Sequence, residues 1–213
     1  MDLNKEYRAF RLHDAINYQT FDDRYRVDTS HPLAIKEDGK IGPGSIDNSD
    51  IYPNSVGYQN TTLHELDQIN NFLREEPGIG LYKFIDVGSG KGRVILYNMA
   101  QKAPYGSYMG IEIDSWLHGI AEENLFTTNI ELNREVVLVN QDILDYSLPY
   151  EPCVYFLFHP FSSEVYDKFI EKNIEIINKT NSYLVFVSPQ EYDLSKVVDK
   201  DIVFSSISVC IYK

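Results

Sequence analysis

From residue 82 to residue 187, short apolar runs rich in β-formers alternate with longer stretches of helical periodicity, and that alternation leaves few folds open. The runs cover 82–87, 108–113, 136–139, 153–158 and 183–187, and helices are predicted over 92–102, 115–127 and 163–178. Strands separated by single helices need crossover connections, which give parallel pairs with helices laid on the sheet. The runs Cys-Val-Tyr-Phe-Leu-Phe and Tyr-Leu-Val-Phe-Val are apolar without alternation, as in strands covered on both faces. The tail over 202–212 is β-rich with no helix before its last segment. It adds an antiparallel C-terminal edge, either as one bent strand or as a hairpin turning at Ser205-Ser206. The reading is α/β: a doubly wound, mostly parallel sheet.

Upstream of the sheet, Thr62-Leu63-His64-Glu65 has the capping-box pattern, and Leu63, Leu66, Ile69, Phe72 and Leu73 recur at helical spacing. Pro77-Gly78 stops that helix. Residues 6–16 also allow a helix. Between 36 and 60, Gly39, Gly42, Pro43, Gly44, Asp47, Asn48, Pro53 and Asn54 mark a loop or lid rather than a core element. The expected division is an N-terminal extension or lid over 1–60 and one sheet domain over 61–213. A chain of 213 residues can bury roughly 70% of its surface, so it needs no disulfide or metal staple. Cys153 and Cys210, each inside an apolar run, read as buried core residues, and Trp116 as a helix–sheet anchor. His13, His64 and His118 have no mutual spacing that builds a metal site.

Charge narrows the partners. Nineteen Lys and Arg stand against 32 Asp and Glu, a net charge of −13. Nucleic-acid binding rests on basic residues neutralising phosphates, and no basic stripe is present. The same deficit argues against an anionic membrane surface. The start, MDLNKEYRAFRL, is not a signal peptide. The longest apolar runs fall far short of the ~20 residues that span a bilayer. A soluble, cytoplasmic protein is expected.

The first strand of the alternation ends in Asp86-Val87-Gly88-Ser89-Gly90-Lys91-Gly92-Arg93. Glycines at alternate positions let the backbone turn sharply and approach a ligand, and the helix behind them presents its free N–H groups. In doubly wound sheets, ligands bind beyond the carboxyl ends of the strands, where strand order reverses. A nucleotide P-loop does not fit, because Ile85 and Gly92 stand at its determining positions. The dinucleotide fingerprint fails too, since the third glycine falls one place early and Arg93 takes its position. Asp86, two residues before Gly88, would repel a pyrophosphate and suits a cationic nucleoside.

Asp86-x-Gly88-x-Gly90-x-Gly92 resembles motif I of the class I S-adenosylmethionine-dependent methyltransferases, a likeness that runs over about 52–190. The resemblance implies a Rossmann-like methyltransferase fold, S-adenosyl-L-methionine as cofactor, and methyl transfer to a small-molecule or protein acceptor through N or O. It places Asp86, Val87, Gly88, Ser89, Gly90 and Gly92 beside the methionine and ribose, with Asp86 near the ammonium. It gives Glu112, followed by Ile113, the ribose hydroxyls, which a carboxylate can accept as a pair. Asp142, followed by Ile143, matches the acid for the adenine amino group; capping the next segment is its other reading. Lys91 and Arg93 read as solvated. The block Phe21-Asp22-Asp23-Arg24-Tyr25 with Val27-Asp28-Thr29-Ser30 resembles a stretch common in a subgroup of small bacterial members.

The 153–158 strand ends in Phe158-His159-Pro160-Phe161. In the family this loop faces the transferable methyl, and the subgroup tends to carry Asn-Pro-Phe there. That is similar to the Asn/Asp-Pro-Pro-aromatic motif of amino-group methyltransferases. His159 stands in place of Asn, and one proline follows instead of two. A neutral imidazole accepts a proton near neutral pH, so His159, with Pro160 and Phe161, is the candidate catalytic group, and by the resemblance His159 is a candidate cofactor contact as well. Its other reading is a histidine bonded to backbone at the strand end. Tyr58-Gln59-Asn60-Thr61 resembles a Tyr-x-Pro-Thr stretch in some relatives, which makes Tyr58 and Thr61 candidate cofactor contacts. The alternative to an enzyme is a non-catalytic module that binds S-adenosylmethionine, S-adenosylhomocysteine or a partner.

Overall fold

Five of the apolar runs lie side by side as parallel strands in the computed structural model, which describes residues 20–30, 33–35, 41–43, 58–188, 192–206 and 208–213. The helix expected over 6–16 and most of the 36–60 lid lie outside the described residues. A short hairpin, β1 (Leu33–Ile35) with β2 (Ile41–Pro43), brackets part of that stretch. The main sheet contains β3 (Lys83–Val87), β4 (Ser107–Glu112), β5 (Val136–Asn140), β6 (Cys153–Phe158), β7 (Tyr183–Val187), β8 (Ile202–Ser205) and β9 (Val209–Tyr212). Its order is β5-β4-β3-β6-β7-β9-β8. Pairs β3–β4, β4–β5, β3–β6 and β6–β7 are parallel. The tail is a hairpin: β9 runs antiparallel to both β7 and β8, with β8 outermost.

Among the described residues, the helices that cover the sheet are α1 (Leu63–Arg74), α2 (Arg93–Ala100), α3 (Ser115–Thr127) and α4 (Ser163–Lys179). The capping box at the start of α1 is formed, with Thr62 accepting from the Glu65 amide and Glu65 accepting from the Thr62 amide. Such a cap contributes about 1 kcal/mol. Strand residues alternate strictly between two cores. Phe84, Val154, Phe156, Tyr183 and Val185 pack on one face with Leu66, Leu73 and Leu96 of α1 and α2. Ile85, Tyr155, Leu157, Leu184 and Phe186 pack on the other with Phe169, Ile170 and Ile177 of α4. In the central strands β3, β6 and β7, successive apolar residues therefore meet a helix on either side, whereas Val137 of β5 and Ile202 of β8 are exposed at the edges. Cys153 and Cys210 are both buried and unpaired. Among the described residues no helix is long and apolar enough to cross a membrane.

Strand order reverses between β3 and β6, so their carboxyl ends flank the crevice in which this architecture places ligands. Asp86 lies in β3 opposite Gly110 of β4 and Phe156 of β6. By alternation with Phe84 it faces the α1–α2 side, although it carries a carboxyl.

Candidate functional site

The site begins with backbone that only glycine tolerates well. Gly88, Gly90 and Gly92 have φ of 76°, 51° and 80°, which a side chain would strain. Two of these positions are also covered. A Cβ on Gly88 would lie 2.5 Å from Cβ of Pro160, and one on Gly90 would overlap the Tyr58 ring. The loop after β3 thus touches the loop after β6 on one side and the entry to α1 on the other. The amides of Gly88 and Ser89 donate to the Ile111 carbonyl at 2.8 and 3.1 Å, which ties the loop to β4.

Two buried carboxylates stand at this turn. Glu112, at the end of β4, accepts from the Gly90 amide at 2.7 Å and from the Asp114 amide at 2.9 Å, one bond per oxygen. Burial raises its pKa, and these two backbone bonds oppose the rise. Each oxygen keeps a second lone pair, so a further donor can still be accepted. Asp86 is 3% exposed, and its Oδ2 is buried with no hydrogen-bond partner. Burial, together with the nearby Glu112 charge, pushes its pKa up to about 8. A carboxyl left this way costs free energy until a donor or cation meets it. Asp142 follows β5 on the same edge, and its Oδ1 caps the next turn by accepting from the Leu144 amide at 2.8 Å.

Other predicted residues take varied places. Val87 and Ser89 are buried in or beside the loop, Thr61 is buried at the entry to α1, and Ile113 is half-buried after Glu112. Ile143 and Phe161 pack into the α4-side core. His159 has φ of 43° and its Nε2 meets the Ser188 carbonyl. Its ring stacks on Tyr192, with centroids 5.2 Å apart and an interplanar angle of 23°. Facing a carbonyl, Nε2 must donate, which leaves the lone pair of the neutral ring on Nδ1. Pro160 lies beside Gly88, which is itself exposed.

Two readings are corrected. Lys91 and Arg93 are not solvated but 4% and 2% exposed. Lys91 Nζ bonds Asp28 Oδ1 at 2.9 Å and the Ser30 carbonyl at 3.2 Å, and Arg93 Nη1 bonds Thr29 Oγ1 at 2.6 Å. These partners lie more than sixty positions away, beyond the reach of local pattern. Trp116 is not a helix–sheet anchor but 56% exposed, because Leu117 and Ala121 supply the buried side of α3. Asn124 was missed altogether. It is buried in α3, donates to the carbonyls of Asp28 and Lys91, and accepts from the Asp28 amide at 2.7 Å. An asparagine in helical phase with Leu117 and Ala121 was the available signal.

No protein-family model and no curated protein matches the chain. Among solved structures, it is similar to a protein of the NADB-Rossmann superfamily from Streptococcus agalactiae, at 13% identity and a TM-score of 0.52 over 73% of this chain and 69% of that one. It is also similar to a ribosomal protein L11 methylase from Lactobacillus delbrueckii subsp. bulgaricus, at 16% identity and a TM-score of 0.47, covering 70% of this chain and 77% of that one. A third is magnesium protoporphyrin IX methyltransferase from Synechocystis PCC 6803 with bound SAH, at 12% identity and a TM-score of 0.48, covering 77% and 90%. The chain has the Rossmann-like fold expected of a class I methyltransferase, and at these identities the likeness concerns fold alone.

Proposed function

We propose that the protein is a methyltransferase that uses S-adenosyl-L-methionine. One observation carries the reading: a buried carboxyl oxygen of Asp86 with no partner, beside a glycine turn at the crevice between β3 and β6. A group that brings an ammonium to Asp86 removes the cost of that orphan and favours the ionised acid. Glu112 retains acceptor capacity for a pair of hydroxyls, and it accepts from the Gly90 amide within the glycine turn itself. Asp142 stands on the same edge for a base, one oxygen already spent on its cap. A dinucleotide would instead set a pyrophosphate against two carboxylates.

When bound, the cofactor supplies a methyl group already activated on a sulfonium, so the acceptor needs only to be aligned and kept from water. Pro160 lies against Gly88 and directs the β6 loop toward the same crevice. His159 is the side chain that would take a proton from an amine or hydroxyl acceptor. The acceptor is a small molecule or a protein side chain, since a charge of −13 disfavours nucleic acid. A second reading, binding without turnover, is favoured by the bond that commits His159 Nε2 to the Ser188 carbonyl.

Thermal unfolding tests the first step. S-adenosylhomocysteine at about 100 times its Kd adds roughly 2.7 kcal/mol, and NAD adds nothing. A shift with NAD alone would overturn the reading. Transfer of labelled methyl groups into a cell extract then separates an enzyme from a binding module.

A further inference from the structure

The segment 20–30 is a part of the molecule that the proposed chemistry leaves unused, yet it bonds both basic side chains of the glycine turn, Lys91 and Arg93. Asp22 is 5% exposed and accepts four bonds: from the amide and hydroxyl of Thr29 at 2.8 and 2.5 Å, and from those of Ser30 at 2.7 and 2.6 Å. That folds the segment into a closed loop with Thr29 fully buried at its centre. Thr29 then faces outward with everything it has left. Its hydroxyl accepts from Arg93 at 2.6 Å, and its carbonyl accepts from the Tyr58 hydroxyl at 2.9 Å. The Arg93 guanidinium lies 3.6 Å from Asp22 and 5.2 Å from the centroid of the Phe21 ring. Lys91, inside the glycine turn itself, is held by Asp28 and Ser30.

We propose that this segment is a working part of the cofactor site, with Asp22 and Arg93 as positioning residues that hold the glycine turn through Thr29. The inference rests on the cofactor reading above. A turn with three left-handed glycines has many conformations to lose, and the segment fixes it at Lys91 and at Arg93, on either side of Gly92. Through Thr29 it also seats the Tyr58 ring on Gly90. The cofactor then meets a turn already set in its bound shape, which lowers the cost of binding. Neither Asp22 nor Arg93 needs to touch the ligand.

The test uses the full chain with Arg93→Met, Arg93→Lys, Thr29→Val, and Ile177→Val as a control buried on the opposite face of the sheet. Two readouts are taken: hydrogen exchange of the amides over 88–92 without ligand, and calorimetric affinity for S-adenosylhomocysteine. Arg93→Met should speed exchange over 88–92 and raise Kd, each by roughly ten- to a hundredfold, as expected for a lost charge-assisted hydrogen bond. Arg93→Lys should recover part of both, and Ile177→Val should change neither. Should Arg93→Met fail to fold, Thr29→Val, which keeps the shape and removes the hydroxyl, should show the same pair of effects. Unchanged exchange and affinity in the folded variant, or equal exchange over 88–92 in Ile177→Val, would overturn the proposal. Wild-type protein that binds no S-adenosylhomocysteine would sink the cofactor reading, and exchange alone would then decide the clamp.

Discussion

The carboxyl edge of the sheet has two halves that differ in how far their polar groups are satisfied. At the ends of β3 and β4, Asp86 has a buried oxygen without a partner and Glu112 keeps spare lone pairs. At the end of β6, His159 is bonded to the Ser188 carbonyl and stacked on Tyr192, which in turn donates to the Phe161 carbonyl at 3.0 Å. A fold left to itself pairs its buried polar groups, because each unpaired one costs about 1–3 kcal/mol. A buried carboxyl without a partner costs more than a neutral group, so the β3–β4 half has the most to gain from a ligand. The β6 half also keeps a buried hydroxyl without a partner, Ser162 Oγ, but it holds no orphaned carboxyl, so it depends less on a ligand.

The largest expected effect lies on the unpaired side. Asp86→Asn should weaken S-adenosylhomocysteine binding by roughly a hundredfold or more, because a charge-assisted partner becomes a neutral one. The same change should stabilise the free protein at alkaline pH. The sign follows from linkage: the acid's pKa is raised from 3.8 to about 8 on folding, so the folded state binds more protons than the unfolded one across that interval. Stability contributed at this site is present below about pH 4 and is lost as pH rises toward 8. Denaturant melts at pH 8.5 should show Asp86→Asn ahead by about 1–3 kcal/mol, with the gap closing at pH 5. Gly90→Ala comes next, since it adds left-handed strain of about 1–3 kcal/mol and a collision with Tyr58. Its cofactor affinity should fall about tenfold, with the ring displaced. His159→Ala should be smallest on this axis, with Kd changed less than about threefold while methyl transfer slows about 10²–10⁴-fold. A His159 variant that lost more cofactor affinity than Asp86→Asn would break the comparison between the halves.

How much was legible depended on the distance over which a residue finds its partner. Strands read from apolar runs and helices read from periodicity stand within one or two residues of their expected bounds, as with 153–158 and 115–127, because those signals are local. The hairpin of the tail was left between two options, since a turn at Ser205-Ser206 needs no special residue. Asp86 and Glu112 were legible because each ends an apolar strand. Lys91 and Arg93 were not, because a basic residue in a turn normally meets water, and only the fold brings Asp22, Asp28 and Thr29 to them. Trp116 misled for the opposite reason: aromatic size suggests burial, but the phase of α3 turns it outward.

Calorimetric titration of the wild-type protein with S-adenosylhomocysteine at pH 7, repeated in buffers of different ionisation enthalpy, addresses Asp86 most directly. A carboxyl with its pKa near 8 is mostly protonated in the free protein and must ionise against the arriving ammonium, so close to one proton should be released per ligand bound, and Asp86→Asn should release none. Binding with no proton release, or equal release from Asp86→Asn, would contradict the assignment of that buried acid to the cofactor.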